Sequence, residues 1–137
     1  MFQFPIPVVR IILEDSEDRI LLLRRSNKSR YKKGEYCLPG GKVKYGQTIE
    51  KACIDEVETE TRLEISNLEF LFYQDNLPGF SDMHLINLYF SANHSGKVQI
   101  NNESSSSAWV HPNKLHKYKI AFKNKKGIER YLKIKKI

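Results

Sequence analysis

Cysteine is almost absent from this chain. The two present, Cys37 and Cys53, are too few for a disulfide framework and lack metal-ligand spacing, which excludes the small stapled secreted domains. They read as free thiols that fill space as small apolar groups. Apolar runs are short, and none approaches a membrane span. The opening MFQFPIPVV has neither a basic n-region nor a long apolar h-region, so no signal peptide is expected. Together these absences predict a cytoplasmic protein with no membrane partner. No internal repeat and no linker composition interrupts the 137 residues, so residues 1–137 are expected to form a single domain. At this length a chain buries about two thirds of its unfolded surface, enough for an independent core.

Acidic residues are also scarce in one place. From His111 to the end there are ten Lys and Arg against one acid, Glu129, while the first 110 residues hold 13 basic and 15 acidic groups. The net charge of +7 therefore belongs to the tail. Its plain reading is the solvated face of a basic helix; its functional reading is attraction of an anionic substrate or a nucleic acid.

What is present reads as strands, then a helix, then strands, then a helix, an α+β order. Residues 6–14 (IPVVRIILE) and 19–25 (RILLLRR) are expected to form a hairpin about the turn cluster 15–18. Residues 26–35 read as a polar loop. Strands are expected at 68–74, 83–92, 97–100 and 108–110, with turns or loops at 75–82, 93–96 and 101–107. The serine-rich 101–107 is low in complexity and reads as a loop. Residues 122–136 are expected to be a basic C-terminal helix, weakened by Gly127.

The organising stretch is 38–63, LPGGKVKYGQTIEKACIDEVETETRL. Thr48 is a plausible N-cap. Ile49, Ala52, Cys53, Glu56, Val57 and Glu60 share one helix face. Glu56 and Glu60 continue an apolar stripe and stack one turn apart. Like charges so placed repel unless a cation lies between them or they point into solvent.

This stretch resembles the Nudix box, G-x5-E-x7-R-E-U-x-E-E-x-G-U with U aliphatic. Gly41 takes the first position, Glu56, Val57, Glu60 and Leu63 match, and Gln47, Asp55, Thr59 and Arg62 depart from it. The LPGG entry at 38–41, and Trp109-Val110 followed by a turn and Leu115, extend the resemblance. It implies the Nudix (MutT-like) fold, a mixed β-sheet sandwiched between α-helices. It also implies hydrolysis of the pyrophosphate of a nucleoside diphosphate derivative: a nucleoside triphosphate, ADP-ribose or a nucleotide sugar.

By the same resemblance Glu56, Glu60 and a carbonyl of Gly41 bind Mg²⁺ or Mn²⁺. Mg²⁺ is a hard ion that takes oxygen ligands, which suits carboxylates on one helix face. Glu56 is also a candidate base, and Glu103 a candidate third ligand or base. Arg24, Arg25, Gly40 and Gly41 are expected to bind substrate. Asp55 is one turn from Thr59 and is a candidate to replace its missing charge. Arg62, where the box has Gly, is expected to strain the helix end by about 1 kcal/mol. Dimers are frequent in the family, so a homodimer is within the resemblance. The loops 26–35, 75–82 and 101–107 are the expected specificity elements.

Two functional readings follow. One is a Mg²⁺-dependent phosphohydrolase. The other is a catalytically weak or inactive Nudix module that binds nucleotide or RNA through the basic tail. His84 reads as a core or edge residue, and His94, His111 and His116 as turn or tail residues. Tyr36, Phe72, Tyr73, Phe80 and Tyr89 read first as core.

Overall fold

The first strands are apolar at both parities, and both faces are covered. The computed structural model describes residues 3–79 and 82–136. Strand β1 (Ile6–Ile12) sends Val9 and Ile11 to one side and Ile12 to the other. Strand β2 (Ile20–Arg25) does the same, with Leu21 and Leu23 opposite Ile20 and Leu22. Period-two alternation thus feeds two cores, one under each helix. Helix α1 (Ile49–Thr61) closes the first with Ala52, Cys53 and Val57; helix α2 (Asn124–Lys135) closes the second with Ile128.

The remaining strands are β3 (Tyr36–Cys37), β4 (Gly40–Lys42), β5 (Glu64–Asn76), β6 (Leu85–Ser95) and β7 (Ser104–Val110). They form a four-stranded sheet in the order β4-β1-β6-β5 and a three-stranded sheet β3-β2-β7. Among these strand pairs β1 and β6 run parallel, and the others are antiparallel. The α+β order and the mixed sheet between helices are as expected. No helix among the described residues is long and apolar enough to cross a membrane.

Several boundaries differ from expectation, and pairing is the reason in each case. The serine-rich segment is not all loop: from Ser104 it is strand, with Ser104, Ser106 and Ser107 opposite Arg25, Arg24 and Leu23. Backbone ladder bonds hold it there against poor intrinsic β preference. Strands β5 and β6 run longer than their apolar cores, so 93–95, expected as a turn, pair with 64–66 and put His94 in a strand. The expected strand at 97–100 is irregular, with Gln99 N–H donating to the Thr61 carbonyl. Part of the expected loop 75–82, and Phe80 within it, lie outside the described residues, as do Met1, Phe2 and Ile137.

Two helix details bear on stability. Arg62 caps α1 at φ 65°, ψ 9°, in the left-handed region, with its N–H on the Glu58 carbonyl. Gly127 is not a weakness in α2 but a fit: a Cβ there would lie 2.2 Å from Tyr89 Cζ. Arg62→Gly should therefore stabilise the protein by about 0.5–1 kcal/mol. Gly127→Ala should destabilise it by about 1–3 kcal/mol through overpacking. Chemical denaturation of the two variants checks the opposite signs.

Candidate active site

Glycine at 40 and 41 lets the chain pass between β1 and α1. Gly40 has φ 154°, and a Cβ there would come within 1.9 Å of the Val9 carbonyl oxygen. A Cβ on Gly41 would lie 2.7 Å from the Glu56 carboxyl carbon. The turn therefore sits directly beneath the carboxylates of α1. Thr48 caps that helix as expected, its hydroxyl accepting from Lys51 N–H at 3.1 Å, which fixes the register of Glu56 and Glu60 over the turn.

Glu60 accepts from Gly40 N–H at 3.0 Å. Burial pushes its carboxyl well above the usual range, and the charge of Glu56 adds to this. Burial also pushes Glu56 up. The two carboxyls lie one turn apart, and the charge of Glu56 disfavours a second charge on Glu60. Glu103 raises both through its charge. Its carbonyl accepts from Ser26 N–H at 3.0 Å, tying the loop that follows β2 to the start of β7.

One cavity of about 630 Å³ brings together Glu56, Glu60, Glu103, Gly40, Gly41 and Arg25. Five further basic side chains line it: Arg10, Lys28, Arg30, Lys42 and Lys44. Loop 26–35 contributes to its wall through Lys28, Ser29, Arg30 and Tyr31. A neighbouring hollow of about 920 Å³ is lined by that loop and by Asn76–Gly79 of the second. Arg24 is placed elsewhere: it is exposed, does not line the cavity, and its Nε–H donates to the Gly34 carbonyl at 3.1 Å.

Asp55 does not make up for Thr59. It pairs with Lys51 at 3.0 Å and accepts from the Gln47 side-chain amide at 3.1 Å. Gln47 in turn accepts from Lys44 N–H at 3.0 Å. The two off-pattern residues thus compensate each other: an amide donor at 47 meets a carboxylate at 55. Cys37 and Cys53 are buried, and burial raises both thiols, Cys53 to about 12. They are buried apolar fillers, as expected.

Among the described residues no three His, Cys, Asp or Glu side chains converge as a metal cluster. The donors still suit one hard cation. Glu56 and Glu60 are a half-buried pair of carboxyls with no ion pair at 4.0 Å or less among the described residues. A Mg²⁺ site needs only one or two carboxylates, with phosphate and water completing it.

Arg10 and Phe122 join the site without belonging to any sequence motif. Arg10 is 4% exposed, and its Nε–H donates to Asn87 Oδ1 at 3.3 Å. Its one signal in the sequence is that a lone arginine interrupts the apolar run of β1. Phe122 lines both hollows and has no such signal.

The NUDIX domain family model matches residues 5–131. The ADP-ribose pyrophosphatase of Methanocaldococcus jannaschii is 29% identical, over 98% of this chain and 78% of that protein. A MutT protein from Methanosarcina mazei superposes with a TM-score of 0.85 at 23% identity, covering all of both chains. A NUDIX hydrolase from Nitrosomonas europaea gives 0.82 at 17% identity, over 93% of this chain and 88% of that one. At those identities the two structures speak for the fold alone.

The raised Glu60 carboxyl sets a sign for stability against pH. Its folded-state value lies above the ordinary 4.5, so the folded state binds more protons than the unfolded state in that window. Stability of the metal-free protein should fall as pH rises from 4.5 through the folded value. Thermal melts in EDTA should show this slope in wild type and lose most of it in Glu60→Gln. At neutral pH that variant should melt several degrees higher. Equal slopes would contradict the assignment.

Proposed function

Because the chain belongs to the Nudix family, we propose that it hydrolyses the pyrophosphate bond of a nucleoside diphosphate derivative, with ADP-ribose the first substrate to try. The observation that carries this is the Glu56–Glu60 pair folded over the Gly40–Gly41 turn in a cavity rimmed by six basic side chains. The name of the Methanocaldococcus relative supports the choice of ADP-ribose.

Glu56, Glu60 and the Gly41 carbonyl would hold a divalent cation, Mg²⁺ or Mn²⁺. When bound, such an ion neutralises phosphate charge and lowers the pKa of a bound water. The chain's own residues do the rest. Gly40 N–H fixes the Glu60 carboxyl. Glu56 would accept the proton of the attacking water. Arg25 and Lys44 supply positive charge for the diphosphate, and Glu103 lies at the same cavity as an accessory carboxylate.

A second reading is kept by one observation. Asp55 and Gln47 are committed to each other, so the site has fewer carboxylates than the full box provides. A weak or silent module would bind nucleotide or RNA without turnover, aided by the exposed Lys125 and Lys133 of α2.

A panel of ADP-ribose, nucleoside triphosphates, dinucleoside polyphosphates and nucleotide sugars, each with Mg²⁺ or Mn²⁺, separates the two. Turnover is expected for ADP-ribose or another panel member. Glu60→Gln should then lower kcat by about 100-fold or more through loss of the ligand charge. Binding without turnover of any member at high protein concentration would favour the silent module.

A further inference from the structure

Arg10 is a buried cation held by an amide rather than by a carboxylate. Period two places it on the α2 side of β1, with Ile12, where an apolar side chain would be the ordinary occupant. Burial lowers its pKa, so the protein bears a cost to keep the charge there. Arg25 lines the same cavity, its Nε–H held by the Tyr31 carbonyl at 2.7 Å. Among the described residues neither guanidinium has a carboxylate within 4.0 Å.

Both meet one aromatic ring. The Arg10 guanidinium carbon is 4.7 Å from the Phe122 ring centroid and that of Arg25 is 4.9 Å from it. The two charges therefore lie within about 10 Å of each other, where they repel. Ring contact engages the guanidinium through the ring quadrupole, and with Nε–H already bonded it is the terminal Nη–H donors in the same plane that serve a forked oxyanion contact.

Phe122 is held there by a strained turn. Phe122 and Lys123 both have φ 60°, a region that side chains other than glycine occupy at a cost. Buried and half-buried amides hold this geometry. Asn87 donates to the Phe122 carbonyl at 3.0 Å, Asn124 donates to it at 3.2 Å, and Gln74 donates to the Lys123 carbonyl at 3.1 Å. Asn87 also accepts from Arg10. The same side chain thus fixes the arginine and the turn that carries its aromatic partner. Backbone strain of this kind clusters at sites of function.

We propose that Arg10, Phe122 and Arg25 form a phosphate clamp that grips phosphoryl oxygens of the substrate beside the Glu56–Glu60 pair, with Phe122 as a positioning residue that holds the two guanidiniums in place. This rests on the hydrolase reading for its location but makes a separate claim about binding. The clamp offers two forked donors to one phosphoanion, and that anion relieves the repulsion between them.

The test is calorimetric titration of inorganic pyrophosphate with Mg²⁺ into folded wild type, Phe122→Leu, Phe122→Tyr and Arg10→Met, alongside kcat and KM for ADP-ribose. Phe122→Leu keeps both charges but loses the ring. It should weaken pyrophosphate binding by about tenfold and raise KM by a similar factor, with kcat little changed. Phe122→Tyr should restore binding to within about threefold of wild type. Arg10→Met should weaken binding by more than about tenfold; if it does not fold, the two Phe122 variants decide. Wild-type affinity in folded Phe122→Leu, an equal loss in Phe122→Tyr, or no pyrophosphate binding by wild type would overturn the clamp. The two readings fail separately. Pyrophosphate binding that Phe122→Leu loses, with no turnover by wild type, removes the hydrolase and keeps the clamp. Turnover with unchanged KM and unchanged pyrophosphate affinity in Phe122→Leu does the reverse.

Discussion

Two carboxyls pressed together under a glycine turn set the terms for this molecule. Glu56 and Glu60 lie one turn apart at the boundary of the core, and Gly40 and Gly41 leave no room for a side chain between them and β1. Two charges there would repel, so the pair holds a proton or a cation. The rest of the fold fixes the spacing. The Thr48 cap sets the phase of α1, the apolar face of Ala52, Cys53 and Val57 seats it, and β1 supports the turn. The site is thus built on regular elements and a tight turn, the kind of support that keeps a constellation in register.

Around this acidic centre the cavity is basic. Arg10, Arg25, Lys28, Arg30, Lys42 and Lys44 face three glutamates. An anionic ligand joins the two: its charge suits the basic wall, and with a cation it suits the carboxylates. The basic tail contributes less here than its charge suggests. Of its Lys and Arg residues, Lys135 is spent on Glu14 and Asp18, and Arg130 lies over the Phe72 ring. What the tail does bring to the cavity is Phe122, at the turn into α2.

Much of this is legible in the chain itself. The 3.6-residue period shows the buried face of α1, and the two glutamates that break that face mark the site. The apolar runs of β1 and β2 mark two buried strands, but the expected hairpin is confined to the turn between them. The strands enter separate sheets because their ladders form with β4 and β6 and with β3 and β7. Other parts are not legible, for physical reasons. The serines of β7 carry no strand preference; only the ladder to β2 makes them a strand. Gln47 and Asp55 look like two independent losses, because donor and acceptor exchanged across a helix start become visible only as a pair. Gly127 looks like a helix breaker because its reason, the Tyr89 ring, lies on another element. Arg10 is readable as a charge in a buried strand, but its partners Phe122 and Asn87 are far along the chain.

If the Glu56–Glu60 pair holds the divalent cation of the proposed hydrolase, ion binding must displace the proton that the pair retains. Proton release on titrating Mn²⁺ into weakly buffered, metal-free protein tests it most directly. Ion binding is expected to expel a proton from the pair at pH values below the raised Glu60 value. The release should shrink as pH rises past the raised Glu60 value, and both binding and release should be lost in Glu60→Gln. Ion binding of equal strength in that variant, or binding with no proton released at any pH, would contradict it.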